Sequence, residues 1–136
     1  MKFIVGYEET PSGVAALKLA KQHARVFHAD IEVVWSITRD KPIKYTQLAE
    51  KEAYLENEIQ KYFTDTKINY RVSLTTDERE AGEQIVQFAR RKKGDLIYIG
   101  VKKKSRVGKM LTGSNLQYVI LKATCPVVTV QPDTDD

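Results

Sequence analysis

Residues 100–115, GVKKKSRVGKMLTGSN, set five Lys or Arg and three Gly within sixteen positions. That composition suits an anion. Glycine lets a ligand come close to the backbone. The N–H groups that open a helix are unpaired and carry partial positive charge. Gly113, Ser114 and Asn115 stand where a last helix would begin, and Ser114 and Asn115 add hydroxyl and amide donors. Gly100 offers similar freedom after the apolar run Leu96–Ile99, and Lys102, Lys103, Lys104, Arg106 and Lys109 form a basic arm between the two ends. The plain alternative is a solvated connector with an ordinary cap at Ser114. Two common phosphate motifs do not fit. In a G-x4-G-K-[ST] loop, Gly108 and Gly113 have the first spacing, but Ser114 stands where Lys is needed. The G-x-G-x-x-G fingerprint is missing after the first strand, where Gly6-Tyr7-Glu8-Glu9 stands instead.

Other reactive residue types are sparse. Glu8 and Glu9 could hold a cation that accompanies phosphates. His23 and His28 are five apart, whereas helix-face metal pairs are three or four apart, so zinc is not expected. Cys125 precedes Pro126 and is expected to be buried and inert. Trp35 reads as core. No nucleophile, base and orienter stand together, so an efficient enzyme is not expected.

These residues need elements to position them. Phe3–Tyr7, Ile31–Ile37, Ile68–Leu74, Asp95–Ile99 and Val127–Val130 are apolar or alternating runs that read as strands. Between them lie four helical patterns. The first opens at Thr10 as N-cap with Pro11 next. The second spans Tyr45–Phe63, with Leu48, Leu55, Ile59 and Tyr62 on one face. The third carries an Asp77/Glu80 capping-box spacing and ends in Arg90-Arg91-Lys92-Lys93-Gly94. That basic run reads as a helix end. The last helix begins at Ser114, with Gln117 at box spacing.

The order βαβαβαβαβ predicts one α/β domain, a five-stranded parallel sheet with helices on both faces. Such folds bind ligands at the carboxyl ends of the strands, near the switch in strand order. Those ends are Tyr7-Glu8, Ser36-Ile37, Leu74-Thr75 and Ile99-Gly100. The domain is expected over residues 1–132, with an acidic tail at 133–136. No apolar run approaches the roughly 20 residues of a membrane helix. The net charge of +4 is mild, and the basic arm has no interleaved aromatic residues, so nucleic acid is not the expected partner. A single cysteine and an N-terminus without a signal-peptide layout point to the cytoplasm.

The element order and the ending GSNLQYVILKATCPVVTV resemble the universal stress protein family over residues 2–131. Its ATP-binding members carry G-x2-G-x9-G-[ST] between the fourth strand and the last helix. Gly100, Gly113 and Ser114 match, while Lys103 replaces the second glycine. The resemblance implies a Rossmann-like fold of the adenine nucleotide alpha hydrolase type. It also implies a site for ATP, ADP or AMP, with Mg2+ as a companion. Gly100 and Gly113 would frame the phosphates, Ser114 and Asn115 would donate to them, and Glu8 would stand near the ribose, the phosphates and the metal. Ser36 would meet adenine with Gly6 beside it, and Tyr7 and Ile99 would complete the strand ends. Lys103 would either block the close approach or grip a phosphate as a point charge. The family also implies a homodimer through Val127–Val130. Its members without the full motif leave a second reading open, a dimerisation module that works without nucleotide.

Overall fold

The computed structural model describes residues 1–102 and 113–132. Residues 103–112, which hold Lys103 and all of the basic arm after Lys102, and the acidic tail lie outside the described residues. The elements are β1 (Lys2–Gly6), α1 (Pro11–Phe27), β2 (Asp30–Thr38), α2 (Tyr45–Gln60), β3 (Tyr70–Asp77), α3 (Ala81–Lys92), β4 (Leu96–Gly100), α4 (Ser114–Lys122) and β5 (Val127–Val130). All five strands are parallel, in the order β3-β2-β1-β4-β5. The expected fold is the observed one.

β1 lies in the middle because its apolar run can be buried on both faces. Phe3 and Val5 join Ile31, Val33 and Tyr98 under α1 and α2, against Leu17, Ala20, Leu55 and Ile59. Ile4 joins Val34, Ile97 and Ile99 under α3 and α4, against Ile85, Phe88, Leu116 and Val119. β2 and β3 are longer than β1 and stay paired as far as Thr38 and Asp77. They stand as a wall beyond its carboxyl end.

The start of α1 is as its sequence requires. Thr10 Oγ1 accepts from Gly13 N at 3.1 Å, and Pro11 is the first helical residue. Other ends differ from expectation. α2 stops at Gln60 rather than Phe63. The capping box at Asp77 does not form, because Asp77 is the last residue of β3 and Glu80 is the N-cap of α3. Ser114 is the first residue of α4 and Gly113 is its cap, so the Ser114/Gln117 box does not form either. At the end of α3, Lys93 takes the left-handed conformation, with φ at 56°. Gly94 supplies room instead, since a Cβ there would lie 2.5 Å from Ile4 Cγ1.

Asp77 accepts from Arg79 N at 3.0 Å and from its guanidinium at 3.1 and 2.9 Å. The Arg79 side chain, then its backbone N–H, holds the Asp77 carboxyl down at about 2. A folded-state value below the unfolded one stabilises at higher pH. This contribution is full above the ordinary carboxylate value and fades as pH falls from about 4 towards about 2. Asp77→Asn should therefore flatten the acid limb of a urea-midpoint profile in that window. An unchanged limb would refute the assignment.

Candidate functional site

The chain leaves β1 towards β2 on one side and returns past it to β4 on the other. The switch in strand order lies between β1 and β4. A cavity of about 400 Å³ opens there. Gly6, Tyr7 and Glu8 line it from the end of β1, Ile99 and Gly100 from β4, and Ser36 from the β2 wall. Ile85 and Leu116 form an apolar side.

Three helices turn their N-termini to this cavity: α1 through Ser12 and Gly13, α3 through Ala81, and α4 through Gly113 and Asn115. Because all the strands run parallel, each helix that follows a strand starts at the same, carboxyl end of the sheet. Each adds partial positive charge, which favours an anion. Lys102, exposed on the rim, adds a full charge.

The glycines have different tasks. A Cβ on Gly13 would lie 2.0 Å from Glu8 O, so the first turn of α1 rests directly on the loop leaving β1. A Cβ on Gly100 would lie 2.5 Å from the carbonyl of Ser12. The close approach at Gly100 is therefore made by α1. Gly113 is open: among the described residues nothing lies within 4 Å of a Cβ placed there.

Polar side chains fix the walls. Asn115 Oδ1 accepts from Gly82 N at 2.8 Å, which joins the first turns of α3 and α4. The carboxamide oxygen is thereby engaged, and Nδ2 is the donor it can offer a ligand. Ser36 Oγ and Thr75 Oγ1 are 2.7 Å apart, linking the β2 and β3 extensions. Gln84 Nε2 donates to Ile37 O at 3.0 Å and Arg79 O at 2.9 Å, tying α3 to the same wall.

The two carboxylates after β1 are sorted by α2. Tyr54 donates to Glu9 Oε2 at 2.9 Å, and Glu8 is the one that lines the cavity. The Tyr7 hydroxyl is pushed up to about 12, first by burial and then by Tyr62 and Glu9, so it stays protonated. Among the described residues no three His, Cys, Asp or Glu side chains gather as a metal site. A single exposed Glu8 fits a Mg2+ that is held mainly by phosphate oxygens and water.

Ser114 is exposed at the start of α4 and is not on the cavity wall. Ser12, Gly13, Ala81, Ile85 and Leu116 are on it and were not singled out by sequence. Two of these, Ser12 and Ala81, follow from helix starts alone. His23 Nδ1 lies 2.7 Å from Tyr98 OH, a bond between α1 and β4. Cys125 is half-buried rather than fully buried, and burial pushes its thiol up, away from the reactive thiolate.

A model of the universal stress protein family matches residues 1–131. Universal stress protein MJ0531 of Methanocaldococcus jannaschii is 44% identical over 48 residues, 35% of this chain and 28% of that relative. The chain thus matches well under two thirds of that relative's length. A universal stress protein of Archaeoglobus fulgidus superposes with a TM-score of 0.74 at 25% identity, covering 95% of this chain and 96% of that one. A universal stress protein of the same organism, solved in complex with dAMP, gives a TM-score of 0.68 at 23% identity, with 95% of each chain covered.

Proposed function

Because the chain belongs to the universal stress protein family, we propose that it binds an adenine nucleotide, ATP or its shorter relatives ADP and AMP. The ligand sits in the cavity at the carboxyl ends of β1, β2 and β4, and the protein works as a cytoplasmic stress-response regulator rather than an efficient enzyme. The observation that carries this reading is the meeting of three helix N-termini around a cavity with one apolar side. The complex of a similar chain with dAMP supports it.

In this reading the phosphates lie at Gly113 and the first turn of α4, with Asn115 Nδ2 as a donor. Gly100 serves them indirectly, by letting α1 close on β4. Adenine lies against the Ser36 backbone and Gly6, flanked by Tyr7, Ile99 and Ile85. Glu8 takes the ribose side and shares a Mg2+ with the phosphates. Lys103 grips a phosphate as a point charge, and Ser114 donates if the ligand draws it in.

Calorimetric titration of nucleotide-stripped protein with Mg-ATP and with AMP tests this. Saturation near one ligand per chain is expected. No saturation at about 1 mM, weaker than about −4 kcal/mol, would sink the reading.

The reading includes a homodimer through β5. This strand is at the sheet edge, and unpaired edges favour partners. Pro126 O and Val130 O accept from Ile97 and Val101 of the β4 side. Even-numbered residues therefore face β4, and the backbone groups of Val127 and Thr129 point outward. Beside them α4 exposes Ile120 and Leu121, 50% and 77% accessible. Thr129→Pro removes an outward N–H and leaves the β4 ladder intact. It should convert the dimer to the 15.5 kDa monomer in sedimentation. A parent protein that already sediments as monomer removes the dimer.

A further inference from the structure

At the amino end of the sheet, opposite the nucleotide cavity, lies a second cavity of about 440 Å³. Lys2, Asp30, Glu32 and Arg71 line it from the starts of β1, β2 and β3, with Lys92 at the end of α3. Strand alternation puts these side chains on the α3 face, in the rows of Ile4 and Val34. Register pairs Lys2 with Asp30 and Glu32 with Arg71.

Glu32 is only 4% exposed, and its Oε2 has no hydrogen-bond partner among the described residues. Nor does any ion pair among those residues reach it. The neighbouring Lys2 Nζ instead donates to Lys92 O at 3.2 Å. A buried, unpaired carboxylate is costly, so it calls for a donor.

The charges around it restrict that donor. A bare anion is opposed by Asp30 and Glu32. A bare metal ion is opposed by Lys2, Arg71 and Lys92. A molecule with both signs satisfies both sets. We propose that this cavity binds a small zwitterion of the α-amino acid class, its ammonium on Glu32 and its carboxylate on Arg71. An ammonium offers three donors to the carboxylate, and a guanidinium fork matches a ligand carboxylate in two parallel bonds.

The test is calorimetry of the full chain with individual α-amino acids up to about 10 mM, with and without ATP, in the millimolar affinity range. At least one should saturate near one per chain, unaffected by ATP. Glu32→Gln and Arg71→Gln should each weaken it about tenfold or more, since each removes a charged hydrogen bond. Arg71 is exposed, so its variant should fold normally even if Glu32→Gln shifts stability. No saturation by any amino acid, or parent-like binding in both variants, overturns the proposal.

Discussion

Gly113→Asp should weaken adenine-nucleotide binding about tenfold to a hundredfold and leave the chain as stable as before, or slightly more so. Gly113 is the N-cap of α4 in an extended conformation, φ −67° and ψ 159°, which aspartate adopts without strain. Among the described residues nothing lies within 4 Å of a Cβ there. Aspartate is among the best N-caps, better than glycine by a few tenths of a kcal/mol. Its charge also complements the helix dipole. The same carboxylate would face a phosphate on the cavity wall. At about 5 Å and an effective dielectric near 20 the repulsion is roughly 3 kcal/mol, reduced by salt. Affinity and stability thus move in opposite directions. Calorimetry and urea unfolding of one variant check both, and an unchanged affinity would mean that no phosphate sits at α4.

Gly13→Ala should cost about 3–5 kcal/mol, among the largest effects a single methyl group can have. In an ordinary helix this change gains up to about 1 kcal/mol. Here the added Cβ would lie 2.0 Å from Glu8 O and 2.9 Å from Glu8 C and N. These are backbone atoms, with no rotamer to turn aside. Either α1 lifts from the loop after β1 or that loop shifts. Both displace Glu8 and the mouth of the cavity, so nucleotide affinity should fall with stability. Urea unfolding measures the cost. Gly113→Ala, whose Cβ would meet none of the described residues within 4 Å, is the matched control and should lose less than about 1 kcal/mol. Equal losses in the two variants would contradict the packing account.

The fold was legible because each strand announces itself by composition. Phe3–Val5 and Ile97–Ile99 are apolar on both sides, as a central parallel strand must be. The carboxyl ends of those strands then located the cavity. The strand and helix ends were less legible. Thr75 and Thr76 are polar and look like the end of a strand, yet they remain in β3 because Ser36 and Ile37 of β2 continue opposite them. That pairing keeps Asp77 in the sheet, where it cannot cap α3. The glycines were the hardest to read. Gly100 and Gly113 look alike in sequence, and only Ser12, distant in the chain, shows that one is filled by a neighbouring backbone and the other is open. The pairing of Asn115 with Gly82 depends likewise on two helices meeting, which no local pattern encodes.

The chain has one tryptophan, Trp35. It directly precedes Ser36 of the cavity wall, and its ring packs half-buried on the other face of β2, towards α1 and α2. Indole and cavity are thus separated by one thickness of backbone. The protein carries its own optical reporter at the site in question. Emission excited in the indole band comes from that wall alone, so ligand entry can be followed by intrinsic fluorescence, in stopped flow as well as at equilibrium, with no dye attached.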